Sequence, residues 1–519
     1  MNDDNGNFAL ALAAAADAHP HRDCLIVDVS GGAAGTAAGN WSYADLGYWS
    51  QRMAGALEAV GVAAGDRVLV QVEKSAHAVA LYLGCLRLGA VYVPLNTAYT
   101  LEEVAYFLDD AEPQVYVCTP AGAEAGAAST GQSAGARVLT LDVDGTGTLP
   151  DAARQVDPHT GIEHRDPADV AAIVYTSGTT GRSKGAMLSH GNLESSARGL
   201  TSAWGWRDDD VLLHALPIFH VHGLFVALHC ALLNGTPMIF LPRFDAARVT
   251  AALPDATVMM GVPTFYTRLL ERPELDRARC AGMRLFISGS APLSEPTFAA
   301  WEARTGHRIL ERYGMSETMM NTSNPLDGER VPGTVGFPLP GVEARVADQD
   351  GRVLERGQVG VIEVRGPNVF SGYWRMPEKT VEEFRPDGFF ITGDLGVMDE
   401  SGRIAIVGRA KDLVISGGYN VYPKELERLL DELPGVVESA VIGVPHPDFG
   451  EGVVAVLVAD AGRIGAADVR RALEGRLAAF KQPKAVVHVD ALPRNAMGKV
   501  QKNELRLRFE DLFRPSAAE

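Results

Sequence analysis

Between residues 8 and 120 the hydrophobic positions change period repeatedly, from helix-like spacing to short apolar runs and back. WSYADL at 41–46 runs into a helix, and Gly65-Asp66 turns into a strand over 67–72. A helix ending near Gly89 and a short strand over 91–94 follow. Such alternation predicts βαβ units and a largely parallel sheet, an α/β fold. Further on, 170–175 reads as a buried strand, and a helix-like segment begins near Ser189. LFISGSAPL at 285–293 reads as a strand feeding a Gly/Ser turn, and ERYGMSET at 311–318 as another strand-end turn. The stretch 121–136 is dominated by Ala, Gly, Ser and Thr, and predicts an exposed loop. Beyond about 412 the pattern becomes that of a small α+β unit. Pro423 opens a helix, 436–444 and 453–458 are strand-like, and 466–479 is helical.

Composition narrows the classes. At 519 residues the chain exceeds one hydrophobic core, so two or more domains are expected. With 46% hydrophobic and 22% charged residues it is a globular protein, and its net charge of −18 argues against a general nucleic-acid binder or an anionic-membrane binder. The five cysteines, Cys24, Cys85, Cys118, Cys230 and Cys280, are odd in number and scattered, so they read as reduced core thiols. The acidic start MNDDNGN and the lack of any apolar run of about 20 residues point to the cytoplasm.

The candidate chemistry centres on TSGTTGRSKG at 176–185, read as a loop between strand and helix. Gly178, Gly181 and Gly185 let backbone amides approach an anion, the hydroxyls of Thr176, Ser177, Thr179 and Thr180 donate, and Lys184 adds a fixed positive charge. It is not a Walker loop, since Arg182-Ser183 stands where Gly-Lys-Ser/Thr is required. His220 and His222, in LPIFHVHG at 216–223, have no carboxylate or cysteine at metal-ligand spacing.

The loop resembles the signature of the adenylate-forming superfamily, which includes acyl-CoA synthetases and firefly luciferase, and the other motifs of that family follow in order. The resemblance implies a large domain over 1–410 that binds ATP and the acyl group, and a mobile domain over 411–519. It implies that Gly289, Ser290, Ala291, Glu311, Arg312, Tyr313, Gly314 and Ser316 enclose the nucleotide. Glu317 matches the residue that holds Mg²⁺, Asp394 the ribose ligand, and Arg409 a second ribose or phosphate contact. Lys411 occupies the hinge position, Lys499 in LPRNAMGK the catalytic position, and His220 the gate beside the reacting carboxylate, with His222 structural. Gly417 and Gly418 would face the CoA arm, and Lys481 and Lys484 either its phosphates or solvent.

FHVHGL, SGSAPL and ERYGMSETMMNTSNP resemble malonyl-CoA synthetases in particular. Arg268 and Arg312 fall in segments expected to line the acyl pocket, where an unpaired guanidinium would be costly unless the substrate carried a second carboxylate. The resemblance therefore implies ATP-dependent CoA ligation of malonate or methylmalonate, with Arg268, Arg312, Ser290 and Met315 around the substrate carboxylate. A monocarboxylate ligase or a stand-alone enzyme loading a carrier protein are the alternatives. Oligomeric state is not specified by the sequence.

Overall fold

The computed structural model describes residues 5–27, 39–126, 135–176, 183–416, 419–459, 464–474, 476–477, 481–495 and 498–514. Several helices begin where the sequence supplies a cap. The Ser42 hydroxyl accepts the Asp45 amide and the Asp45 carboxylate accepts the Ser42 amide, opening Tyr43–Ala59. Thr100 and Ser189 build the same reciprocal box for Leu101–Ala111 and His190–Ala203. Pro263 and Pro423 each sit in the first turn of a helix, where the missing amide costs nothing.

Two mainly parallel sheets carry the large lobe. The first runs, from one edge, Phe337–Pro338, Met319–Ser323, Leu310–Met315, Leu285–Ser288, Val258–Gly261, Leu212–His214, Met238–Phe240, Asp23–Ile26 and Trp41–Ser42. The six from Leu310–Met315 to Asp23–Ile26 are mutually parallel. The second runs Gly372–Tyr373, Lys184–Ser189, Val170–Thr176, Val91–Pro94, Arg67–Gln71, Val115–Cys118 and Arg137–Thr140, with the last five parallel. Strands such as Val258–Gly261, Val91–Pro94 and Val115–Cys118 are continuous apolar runs, as strands buried on both faces require. Trp204, Tyr82 and Phe225 are fully buried in the shared core.

Two smaller sheets follow, the first antiparallel and the second mixed, with Ala485–His488 parallel to Gly450–Ala459. Glu343–Ala347, Val359–Arg365, Phe390–Met398 and Ile404–Arg409 form one, which the sequence reading did not anticipate. In the other, Val436–His446 and Gly450–Ala459 pair over most of their length. Their side chains alternate between two separate cores. Val441, Val453, Ala455 and Leu457 pack with Leu426 and Leu430 of Pro423–Asp431 on one face, while Ala440, Ile442, Val454 and Val456 pack with Leu492 and Leu505 on the other. This small lobe thus buries its own apolar surface.

Three local expectations need correction. Residues 176–185 do not lead straight into a helix: Lys184–Ser189 is a strand antiparallel to Val170–Thr176, so the loop closes a hairpin before His190–Ala203 begins. Within 121–136 the first part is helical, Pro120–Gly126, because alanines favour that state even without large apolar residues. The helix expected over 466–479 is Ala466–Leu473. All five cysteines are buried and unpaired. Among the described residues no helix is long and apolar enough to cross a membrane.

Candidate functional site

Ser290 and Glu317 follow the carboxyl ends of Leu285–Ser288 and Leu310–Met315, and Thr176 ends Val170–Thr176, the end of an open α/β sheet where ligands bind. Leu285–Ser288 and Leu310–Met315 lie side by side, with Ser288 opposite Glu311, so the turns after them are neighbours. Thr176 bonds Glu317 across from them, and Lys499 lies within electrostatic reach of Asp394 and Arg409 in the antiparallel sheet.

One half of this cleft is rich in paired charges. Asp394 and Arg409 stand directly opposite each other on adjacent strands, and the Arg409 Nε lies 2.7 Å from the Asp394 Oδ1. The Tyr313 hydroxyl donates to the other oxygen of Asp394 at 2.6 Å. The Asp394 charge raises the affinity of Arg409 for its proton. Nearby, Lys184 donates to Glu383 at 3.0 Å and lies 4.2 Å from the Tyr373 ring centre. The Tyr373 hydroxyl is 2.8 Å from Glu383 and 3.2 Å from Glu317, and Thr176 donates to the same Glu317 oxygen at 3.2 Å. One phenolic proton cannot serve two carboxylates at once. Burial accordingly raises the pKa of Glu317 against the pull of Lys184 and Arg409.

The other half holds a cation with no anion. Arg312 is 3% exposed, its Nε and Nη2 have no hydrogen-bond partner, and no carboxylate pairs with it among the described residues. Burial pushes its pKa down to about 10. Gly289 permits this position, since a Cβ there would lie 2.3 Å from the guanidinium carbon. Ser290 adopts a left-handed backbone, φ 69°, that a non-glycine residue reaches only at a cost of about 1 kcal/mol, and its hydroxyl is 3.2 Å from His222 Nδ1. Burial and the neighbouring charge of Arg312 hold His222 neutral. His220, half-buried, is pushed down to about 4 by burial and by the charges of Arg312 and Lys499. Met315 and Ser316 are half-buried at the turn beyond Arg312, and Gly314 is required there because a Cβ would meet the Met319 carbonyl. Glu311 faces away from Arg312: it accepts the Leu293 amide at 3.1 Å, and burial lifts it to about 7. Ala291 is half-buried in the turn after Ser290.

Arg268 is placed differently. The helix Pro263–Leu270 turns Tyr266 and Leu269 inward and leaves Arg268 exposed, so the argument from burial applies to Arg312 alone. Thr264, four residues earlier and on the same face, meets the loop of the small lobe at Gly498. Lys499 follows in that loop; the residue as a whole is exposed, but desolvation of its ammonium among the neighbouring groups, with the charges of Arg409 and Lys411, lowers it to about 8 despite Asp394 and Asp412. Lys411 lies in the short 3-10 turn Ala410–Asp412, where Arg506 donates to Asp412 at 2.6 Å. Lys481 is bonded to both oxygens of Glu425, at 2.7 and 2.8 Å, and the Lys484 ammonium lies 4.9 Å from the Phe449 ring centre. Ser177, Gly178, Thr179, Thr180, Gly181, Gly417 and Gly418 lie outside the described residues.

Sequence reasoning missed Tyr373 and Glu383, and placed His222 outside the site. A single glutamate in VEEF has no signal of its own, whereas the aromatic-rich run before it, FSGYW, could have drawn attention to Tyr373. Among the described residues no three His, Cys, Asp or Glu side chains converge on a metal-sized space.

Two family descriptions match the chain: "AMP-binding enzyme" over residues 12–374 and "AMP-binding enzyme C-terminal domain" over 425–499. The chain is 37% identical over 492 residues to a malonate–CoA ligase of Arabidopsis thaliana, spanning 88% of this chain and 80% of that one. It is also 37% identical over 476 residues to a feruloyl-CoA synthase of an Amycolatopsis species, spanning 90% and 94%. Among solved structures, ATP-bound MatB from Rhodopseudomonas palustris is 55% identical, covers 98% of this chain and 100% of its own, and superposes with a TM-score of 0.94. Equal identity to relatives named for different acids leaves the choice of acid to the site.

Proposed function

The chain belongs to the AMP-binding enzyme family, and on that premise we propose that it is an ATP-dependent malonate–CoA ligase forming malonyl-CoA, AMP and diphosphate. Arg312 is the observation that carries the choice of acid. A buried guanidinium without an anion is costly in an empty pocket and is repaid when a substrate carboxylate reaches it. Malonate has one carboxylate to be activated and a second to meet Arg312, with Ser290, His222 and Met315 as walls. Arg268, on the helix face that meets the Lys499 loop, is proposed as an outer contact for the same anion.

The reaction needs two steps. A malonate oxygen attacks the α-phosphorus of ATP, diphosphate leaves, and the malonyl-adenylate forms. The CoA sulfur then attacks the acyl carbon and AMP leaves. Asp394 and Arg409 are proposed to hold the ribose, with Tyr313 steering Asp394. Gly289, Ala291, Glu311, Gly314 and Ser316 would shape the walls around the nucleotide. Thr176, Lys184 and the loop they flank are proposed to cradle the phosphates, which requires Lys184 to leave Glu383. Glu317 and the Thr176 hydroxyl present the oxygen ligands that fit Mg²⁺, which when bound neutralises phosphate charge. Lys499 is proposed to stabilise charge developing on the reacting oxygens, and neutral His220 to border the attacking carboxylate without a competing charge.

We place the domain boundary at 410/411, with Lys411 as hinge. The separate cores of the small lobe support it as a unit that can turn as one body. CoA would enter beside 417–418. Lys481, committed to Glu425, is a weaker candidate for its phosphates than Lys484. The reduced buried thiols fit a reducing compartment such as the cytosol.

The test is AMP formation from ATP, Mg²⁺ and CoA with malonate, methylmalonate, succinate, acetate and butyrate in parallel. A site built around a second carboxylate rejects acids lacking it by about 10⁴-fold. Acetate or butyrate matching malonate would overturn the assignment.

A further inference from the structure

A second buried cation lies beside the acyl half of the cleft and takes no part in the chemistry described so far. Lys74 lies in the connection just after the strand Arg67–Gln71 of one sheet and reaches the end of Leu212–His214 in the other. It is 7% exposed, and its ammonium donates to His214 Nδ1 at 2.8 Å, to the His214 carbonyl at 2.8 Å and to the Leu216 carbonyl at 2.9 Å. Its ammonium also sits 4.2 Å from the Phe240 ring centre. Three protons meet three acceptors, so the cation is satisfied by dipoles and a π face rather than by a carboxylate.

This arrangement dictates the state of His214. Because Nδ1 accepts from Lys74, Nε2 must carry the proton, and it lies 2.9 Å from the Gly223 carbonyl. Gly223 belongs to the π-helical segment His222–Leu228 and is wedged against the Pro217 carbonyl, which a Cβ would approach to 2.0 Å. The clamped turn is the one that bears His220 and His222. His222 touches Ser290, and the His222 amide donates to His220 Nδ1 at 3.3 Å.

We propose that Lys74 is a positioning residue for the acyl site, acting through the tautomer of His214 on the turn that carries His220 and His222. The inference rests on the reading of this pocket as the malonate site. Among the described residues, the partners of Lys74 are His214, Leu216 and Phe240, none of them in the nucleotide half, so its loss acts on one substrate and not on the other.

The experiment compares Lys74→Met and His214→Asn with the unaltered enzyme, measuring KM for malonate and for ATP separately and kcat at saturation. The expected result is a malonate KM raised about tenfold or more, with the ATP KM within about twofold. In the unaltered protein, ¹⁵N NMR of His214 should show a lone-pair nitrogen at Nδ1 and a protonated Nε2. An unchanged malonate KM in both variants, a parallel rise for ATP, or the opposite tautomer would overturn the proposal. If Lys74→Met does not fold, His214→Asn alone must still show the split, and its absence there counts against the proposal. Failure of the unaltered enzyme to use malonate would instead refute the functional reading beneath it.

Discussion

The two halves of the cleft handle charge in opposite ways. Asp394 is paired with Arg409 and Tyr313, and Glu383 with Lys184 and Tyr373, before any ligand arrives. Around Arg312 stand neutral imidazoles, a phenol and glycine backbone, and among the described residues no carboxylate pairs with it. A pre-paired site keeps its geometry when empty and exchanges partners on binding. An unpaired one stores the cost of desolvation and releases it only to a matching anion, which makes it the half that selects.

That contrast can be broken most sharply at Arg312. Arg312→Met should lower kcat/KM for malonate on the order of 10³-fold, equivalent to about 3–5 kcal/mol, while ATP binding is preserved. The same variant should be more stable than the parent when empty, by about 1 kcal/mol or more, because a buried unpaired charge has been removed. Malonate kinetics near those of the parent, or a lower melting temperature, would contradict the description of an unsatisfied cation. Lys499→Ala should slow adenylate formation on the order of 10²-fold yet spare attack of CoA on supplied malonyl-adenylate. Equal loss in both half-reactions would argue against a lysine used in one step only.

The nucleotide half should respond with the reverse sign. Asp394→Asn leaves Arg409 without its carboxylate, so stability should fall by about 1–2 kcal/mol as the ATP KM rises about tenfold. A gain in stability would make the two halves alike. The smallest effect is in pH. Lys499 is lowered to about 8, so it is charged below that value and loses its charge as pH rises through it. The kcat/KM profile for adenylation should therefore fall through about pH 8, and Lys499→Arg should move that limb upward. His220, at about 4, is already neutral across this range and adds no limb.

The parts legible in the sequence are those with local causes. Caps at Ser42 and Ser189, the apolar strands and the motif positions of Asp394, Arg409 and Lys499 could all be read along the chain. Long-range partners could not. Glu383 meets Lys184 across 199 positions, and Lys74 meets His214 across 140. Burial of Arg312 follows from a strand crowded by Gly289, and exposure of Arg268 from a short helix whose inward face is taken by Tyr266 and Leu269. The sequence sets both arginines near a turn, and only packing separates them. The hairpin strand Lys184–Ser189 escaped notice because KGAMLS has neither strict alternation nor β-branched residues.

The five thiols have a practical consequence. Burial removes Cys24, Cys85 and Cys230 from the titrating range and pushes Cys118 and Cys280 up to about 11, so none becomes a thiolate at neutral pH. A maleimide or nitroxide reagent meets a silent background. One cysteine introduced on the exposed Val437 side of the small lobe and another on the exposed Tyr48 side of the large lobe would be the reactive handles. The wild-type chain is thus already fit for fluorescence or spin-label distance measurements that test whether its lobes move during turnover.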